Sequence, residues 1–567
     1  MDDTFAPAEC VAIAFHPDTG AAAIGEHGRA ETWPSDRAVG EIARLEHDVG
    51  PRWVWWGSET ARLLVAAGVR PRRCWDLDAV HRLVHGGWRS GPARVWAAAQ
   101  GLAAADIPTI APVDLFHVGA DDLGEHAVRG DGHLDPVWID EHWHADLACL
   151  AEWAALALGV QQAQDTALTE LERRPAAPAT ARSESAASLL CAELEHDGLP
   201  IDVDTAEAII ATFIGPRPAD AADEARLAAA RDELVLRHLP TGGIDLRNPA
   251  NVKSLLRRVG IEVPDTRAWR LEQLRDRHPI VEALLAWRKA ERIATTFGYR
   301  WLDEHVGPDG RLRGRWSSSD GAAGRMTATA GLHNLPAELR PAVAAEEGHL
   351  FVRADLGQIE PRILAAVSGD EALIAATLDD DMYAPVAARL GVTRDIAKVA
   401  VLGAMYGQTT GQGAAALRGL ESAYPTAMGY LHDAARRAEG GNDLRTRGGR
   451  RVNMSGSGDP GSDDEGEERS RAAARGRFGR NAMIQGAAAE FFKTWAAIVR
   501  ARAATHGARI VLCLHDELLV HAPVDAADVV RDIVDDGLQE ARYRWSPVDG
   551  VRFVADTTTI RRWSDAK

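Results

Sequence analysis

The chain has 567 residues, 46% of them hydrophobic, which is enough apolar content for several domain-sized cores. Its 83 acidic side chains against 64 cationic ones give a net charge of −19, which excludes a uniformly basic nucleic-acid-coating protein. No apolar run approaches the roughly 20 residues that span a bilayer, and the first residues, Met1-Asp-Asp-Thr, are acidic; a cytoplasmic protein without membrane contact is expected. The cysteines, Cys10, Cys74, Cys149, Cys191 and Cys513, are scattered and form no C-x-x-C pair, so they are expected to be reduced and structural. Most of the acidic excess falls in residues 1–175, which hold no lysine, and the nearly balanced remainder has room for a basic groove.

In chain order, "CVAIAF" and "AAAIG" flank "HPDTG" as strand, turn and strand, opening an α/β domain that runs to about residue 172. The segment "ERRPAAPATARSES" is rich in Pro, Ala, Ser and Arg and reads as a linker at 173–185. "AASLLCAELEHDGLPIDVDTAEAII", "NVKSLLRRVG" and "ALLAWRKAERIATTFGYRWLDE" then carry helical spacing, and strands return from about Gly310. In "LFVRADLGQIEPRILAAVSGD", Leu350 to Ala354 reads as a buried strand with Asp355 at its end. Leu356-Gly357 turns, and a helix begins near Gln358 with Pro361 in its first turn, where the missing N–H costs little. A helical block covers about 380–500, interrupted by the acidic "SGSGDPGSDDEGEE" at 455–468, which is expected to be a mobile surface loop. The chain closes on "VLCLHDELLVHAP", two apolar runs joined by His515, Asp516 and Glu517, which reads as a tight hairpin.

Asp355 alone reads equally well as a helix N-cap. A second strand-end acid, Asp516, changes the reading: two carboxylates at adjoining strand ends repel unless a cation sits between them. Magnesium, with its taste for carboxylate and phosphate oxygens, resolves the conflict. Two such ions about 4 Å apart can activate an attacking hydroxyl and steady a leaving phosphate oxygen. In "RDIAKVAVLGAMYGQTTGQG", Arg394, Lys398, Leu402 and Tyr406 recur every four residues and so share a helical face. That face could be a plain solvated one. Lysine is scarce, however, restricted to Lys253, Lys289, Lys398, Lys493 and Lys567, and a lysine can release a proton where arginine stays charged. Lys398 is therefore a candidate proton donor to a leaving pyrophosphate. "LRTRGGRRVN" packs Arg445, Arg447, Arg450 and Arg451 around two glycines, as a phosphate-contacting loop would. "RGRFGRNAMIQGAAAEFFK" sets Arg477, Asn481 and Gln485 on one helical face, where amides can read base edges.

The set "AGRMTATAGLHNLP", "DLGQIEPR", "RDIAKVAVLGAMYG", "RNAMIQGAAAEFFK" and "LHDEL", in that order, resembles the family A DNA polymerases over roughly residues 186–567. The resemblance implies an α+β right hand with a helical thumb (186–300), an antiparallel-sheet palm (301–378 and 487–567) and helical fingers (379–486). It implies two magnesium ions, with manganese as a substitute, on Asp355, Asp516 and the Leu356 carbonyl, and Glu517 in support. It implies that Arg394 and Lys398 grip a deoxynucleoside triphosphate, with Lys398 as general acid. Leu402, Tyr406 and Gln358 would line the nucleotide pocket, with Glu360 as a gate against the ribose 2′-hydroxyl. Arg325, Asn334, Arg477, Asn481, Gln485 and His515 would contact primer-template DNA. A monomer is expected.

The sequence departs from the family pattern at Leu402, where an aromatic residue is usual, at Leu356-Gly357 in place of Tyr-Ser, at His333 in place of Gln, and at Tyr383 in place of His. These changes spare the metal and phosphate positions and alter the sugar and base pocket. Residues 1–172 resemble a diverged RNase H-like proofreading domain whose Asp-x-Glu position reads "AIAFHPDTG"; its 3′–5′ exonuclease chemistry is expected to be lost, and "EHWHAD" at 141–146 is read as a surface cluster. A single-subunit RNA polymerase and a pseudo-polymerase that only binds primer-template DNA are the alternatives. Glu360 opposes the first, and the retained Asp355, Asp516, Arg394 and Lys398 oppose the second.

Overall fold

The run Cys10–His16 (β1) is apolar without alternation because both of its faces are covered. Cys10, Ala12 and Ala14 face one core, while Val11, Ile13 and Phe15 face another. The computed structural model describes residues 5, 8–109, 126–171, 174–239, 244–407, 414–454, 465–546 and 548–566. β1 pairs antiparallel with Gly20–Gly25 (β2), which pairs with Ala30–Pro34 (β3); on its other side it runs parallel to Arg52–Trp55 (β4), followed by Arg73–Asp76 (β5). The strand order is β3-β2-β1-β4-β5. The helix Leu147–Thr169 (α1) buries Leu150, Trp153 and Ala157 in the first of these cores.

The expected linker at 173–185 is corrected here. Ala177–Asp197 (α2) is a helix buried on almost every side, from Ala177 through Leu194. The Ala and Ser side chains that suggested a linker are small enough to let neighbouring elements approach the helix axis closely, which is a packing role for the same composition. Ala177 and Ala181 join one core of the five-stranded sheet, and Leu189 and Ala192 join the other.

Two compact units are defined. The first comprises Met1–Asp197, Arg315–Thr327 and Glu347–Ile560; the second comprises Gly198–Gly314, Ala328–Glu346 and Arg561–Lys567. In the first unit a four-stranded antiparallel sheet is built from His349–Leu356 (β6), Arg509–Cys513 (β7), Glu517–Pro523 (β8) and Ala555–Ile560 (β9), in the order β7-β8-β6-β9. Its helices include Ile359–Ser368 (α3), Arg394–Tyr406 (α4), Pro425–Glu439 (α5), Glu465–Ala503 (α6) and Ala527–Trp545 (α7). The α6 helix is 39 residues long, a rod of roughly 58 Å at 1.5 Å per residue. Residues 455–464 of the expected mobile loop lie outside the described residues, and 465–468 belong to the start of α6.

Buried ion pairs tie α2 to α6. Lys493 donates to Glu184 at 2.7 Å, Arg450 pairs with the same carboxylate at 2.6 Å, and Arg500 pairs with Glu193 at 2.7 Å.

The second unit is mostly helical, as the middle of the sequence predicts. Its core gathers Leu255, Leu284 and Trp287, and the Trp287 indole donates to Asp232 at 2.8 Å. It begins at Gly198 rather than 186 and takes in residues beyond 300. The reason is pairing: Leu199–Pro200 forms a ladder with Arg311–Leu312, and Ile201 bridges Val343. No helix among the described residues is long and apolar enough to cross a membrane.

Candidate active site

The register of the four-stranded sheet decides the site. Asp355, near the end of β6, lies opposite Glu517 on β8, and the Leu356 N–H donates to the Asp516 carbonyl at 2.7 Å. Asp355 and Asp516, 161 positions apart in sequence, are therefore brought together, one near the end of β6 and the other in the turn that leads into β8. Together with Leu356 they line a cavity of about 510 Å³. Burial pushes the Asp355 carboxyl up to about 6, with Asp516 and Glu517 adding to the rise and Arg353 opposing it. Asp516 is raised for the same first reason, and Glu517 adds to it. Two carboxylates whose ionised forms are destabilised, lining one cavity, make an oxygen donor set that fits a hard divalent cation.

Arg353 was not anticipated. It sits two residues before Asp355 and so shares its face of the strand. Its guanidinium donates to Glu517 at 2.7 Å and to Asp355 at 2.7 Å, with Asp556 at 3.6 Å. A cation does stand among the acids, and it is the protein's own guanidinium. The signal was in the sequence: an arginine inside an apolar strand must find buried acceptors.

The turn after Asp355 is pinned. Arg362, fully buried, donates through Nε to the Gly357 carbonyl at 2.9 Å and through its other nitrogens to the carbonyls of Thr377, Asp379, Asp380 and Arg552. Gln358 adopts a left-handed conformation, φ 54°, unusual for a non-glycine residue. Its amide compensates, donating to Asp381 at 2.9 Å and accepting from the Met382 N–H at 2.9 Å. Asp381 in turn holds Arg394 at 2.5 Å.

The i, i+4 reading of α4 is borne out in geometry. Arg394, Lys398, Leu402 and Tyr406 all line the same cavity as Asp355 and Asp516, joined by Arg325, Gln358, Glu360, Tyr383 and His515. Glu360 is held from both sides, accepting from Arg325 at 2.6 Å and from the Tyr406 hydroxyl at 2.7 Å. Burial depresses the His515 imidazole, with Arg325 acting in the same direction. Burial, then Glu360, raises the Tyr406 phenol to about 12. Glu517 is buried at the base of the sheet.

The α6 trio does not line this cavity. Gln485 reaches the Tyr406 hydroxyl, Arg477 packs against Gly407, and the buried Asn481 Oδ1 has no hydrogen-bond partner among the described residues. Asn334 belongs to the second unit, where its carbonyl accepts from Arg292 at 2.5 Å. The arginine loop is split in use. Arg450 is spent on Glu184 and Arg451 on Asp443 at 2.6 Å, whereas Arg445 and Arg447 face a separate cavity. Lysine scarcity proves a poor guide, since Lys493 is fully buried in an ion pair and Lys289 pairs with Glu338 at 2.9 Å.

Comparison with known proteins agrees with this geometry. The sequence pattern described as DNA polymerase family A matches residues 249–565. DNA polymerase I of Chloroflexus aurantiacus is 32% identical over 300 residues, covering 47% of this chain and 31% of that protein. The thermostable DNA polymerase I of Thermus aquaticus is 29% identical over 289 residues, covering 46% of this chain and 34% of that one. These alignments thus span about a third of the relatives' length. A solved structure described as the POL domain of Pol1 from M. smegmatis, in complex with DNA primer-template and dNTP, superposes with a TM-score of 0.67 at 22% identity, covering 100% of this chain and 97% of that one. The pattern match takes in more than half of the sequence and every residue that lines the cavity, and on that ground the chain belongs to DNA polymerase family A.

Proposed function

We propose that this protein is a template-directed DNA polymerase: a primer 3′-hydroxyl attacks the α-phosphate of a bound deoxynucleoside triphosphate and pyrophosphate leaves. The observation that carries the reading is one cavity with two carboxylates, Asp355 and Asp516, together with two cations, Arg394 and Lys398. Asp355, Asp516 and the Leu356 carbonyl would hold two magnesium ions, or manganese in their place. A metal held by these residues would lower the pKa of the attacking hydroxyl and neutralise charge on the phosphates. Arg394 and Lys398 hold the triphosphate, and Lys398 returns a proton to the leaving pyrophosphate. Glu360 acts as the gate against a ribose 2′-hydroxyl; its contacts to Arg325 and Tyr406, which hold the side chain in place, support that role. Arg325, His515, Arg477, Asn481, Gln485 and Asn334 contact primer and template, and Leu402 and Tyr406 flank the new base pair. Catalysis is then positioning plus electrostatics.

The same reading takes residues 1–172 as an exonuclease-type domain without nuclease chemistry. A cavity of about 400 Å³ there is lined by Ile13, Ala14 and three tryptophans. Its acids are engaged: Glu59 lies 3.4 Å from Arg62, and Asp78 accepts from the Gly91 N–H at 3.0 Å. We take the protein to act as a cytoplasmic monomer on primer-template DNA and deoxynucleotides. The test is primer extension with magnesium. Extension by deoxynucleotides that vanishes in Asp516→Ala is expected; preference for ribonucleotides would replace the reading with an RNA polymerase, and binding without extension with a pseudo-polymerase.

A further inference from the structure

The run Asp379-Asp380-Asp381 stands just before the helix Tyr383–Leu390, and none of the three lines the cavity of Asp355 and Asp516. Adjacent carboxylates repel unless each faces water or finds a cation. Asp380 is exposed and pairs with Arg552 at 2.6 Å. Asp381 divides its two oxygens between neighbours. Its Oδ1 accepts from the Gln358 amide at 2.9 Å and from the Tyr383 N–H at 3.2 Å, whereas Oδ2 accepts from the Arg394 Nε at 2.5 Å.

The acid is fixed before any ligand arrives. The carbonyls of Asp379 and Asp380 accept from Arg362 at 2.9 and 2.8 Å, and the Met382 N–H donates to the Gln358 side chain at 2.9 Å. Gln358 has φ 54°, a conformation that persists only where surrounding contacts over-determine it. Asp381 is thus a post held on both sides, and what it holds in turn is the first residue of α4.

Arg394 has little else to orient it. Its side chain is 49% exposed, its Nη1 lies 3.6 Å from the exposed Asp395 carboxylate, and its guanidinium carbon stands 5.8 Å from the centre of the Tyr383 ring. Among the described residues the guanidinium makes one hydrogen bond, from Nε to Asp381. A long side chain without a partner must lose rotamer freedom when it meets a ligand; one already held loses less. A guanidinium held through Nε also keeps both Nη groups for a bidentate contact to phosphate oxygens.

We propose that Asp381 is a positioning residue for the triphosphate: it touches no part of the nucleotide and acts by aiming the Nη groups of Arg394 into the cavity. The proposal rests on the polymerase reading only in taking that cavity to hold a triphosphate. Its test is a double-substitution cycle on the full chain, with dATP titrated calorimetrically in EDTA so that no chemistry is required. Asp381→Asn is the informative change, because one oxygen remains for Gln358 and Tyr383 while an NH₂ meets the Arg394 Nε. Loss of an exposed ion pair that orients the arm should weaken dATP about fivefold, and Arg394→Met, which removes the phosphate contacts themselves, about thirtyfold. The double variant should bind no more weakly than Arg394→Met alone, since Asp381 acts through that residue. In primer extension the loss in Asp381→Asn should fall on KM for dATP rather than on kcat. Tighter dATP binding in Asp381→Asn, the result of merely removing a negative charge near an anion, would overturn the proposal, as would unchanged binding or losses that multiply to about 150-fold in the double variant. A parent that binds dATP but extends no primer would remove the polymerase reading and leave this proposal to be decided by the titration; a parent that binds no dATP would remove both.

Discussion

Arg353→Met removes the guanidinium that lies among the site's acids. The Glu517 arm is the expensive one, because Arg353 and Glu517 side chains are 10% and 7% exposed and 2.7 Å apart. Removing one partner of a buried pair costs about 3–5 kcal/mol, since the other charge stays buried. The Asp355 arm, 39% exposed on the carboxylate side, is screened by solvent and adds under about 1 kcal/mol. The substitution should therefore cost about 3–6 kcal/mol, read as a lower urea midpoint with the slope unchanged. Adding Glu517→Gln should restore most of the loss, because the buried charge that made the single substitution costly is gone. The functional arm has the opposite sign. With an Asp355 oxygen released from the guanidinium, the magnesium concentration giving half-maximal extension should fall severalfold. Arg353→Met as stable as the parent, or a double variant as unstable as the single, would refute the assignment of Arg353 as the internal counter-ion.

Asp76 offers a pH test away from the site: its carboxyl is buried and raised from 3.8 to about 6, burial being the main cause. A raised folded-state value means that its contribution is fully present below 3.8 and lost as pH rises through about 6. The stability of the parent relative to Asp76→Asn should accordingly fall by about 3 kcal/mol between pH 3.8 and 7, and parallel unfolding profiles, followed by tryptophan fluorescence, would contradict this. Lys493→Met should cost about 3 kcal/mol, because Glu184 keeps Arg450 but loses a 2.7 Å partner in a fully buried position. Lys493→Arg should also destabilise, by overpacking a site with no exposed surface; thermal unfolding checks both.

Much of this site was legible because it depends on periodicities that a sequence records. Apolar runs with polar ends mark the strand bearing Asp355 and the hairpin whose turn bears Asp516, and an i, i+4 spacing marks the cavity wall of Arg394, Lys398, Leu402 and Tyr406. What stayed hidden is what composition describes ambiguously. Ala, Ser and Pro between residues 173 and 185 suit a flexible tether and a tightly packed helix equally, and only the neighbours of α2 decide between them. The loop arginines looked alike in sequence, yet Arg450 reaches a carboxylate on α2 whereas Arg447 does not, because the partner lies more than 260 positions earlier. Arg353 could have been found, since an arginine flanked by Val352 and Ala354 in a buried strand has few ways to be satisfied. Asp381 could not, because its contacts to Gln358 and Arg394 arise from a left-handed backbone turn that no propensity favours.

The position of α2 ties the five-stranded sheet to the rest of the first unit. This helix completes both cores of the five-stranded sheet through Ala177, Ala181, Leu189 and Ala192. Its Ser185 and Ser188 hydroxyls hydrogen-bond Asp76 at the end of β5. The same helix offers Glu184 and Glu193 to Lys493 and Arg500 of α6, and α6 also carries Arg477, Asn481 and Gln485. Deleting residues 1–172 would strip the apolar cover from α2 and expose Leu189 and Ala192. Cutting at 180 would leave the sheet without most of the helix that closes it. A nuclease assay on either fragment would report misfolding, so the proposed loss of proofreading has to be tested in the whole chain, as degradation of a mismatched primer in the absence of deoxynucleotides; no degradation is expected. Any requirement that keeps α2 packed therefore keeps the sheet beneath it, independently of the chemistry the sheet carries.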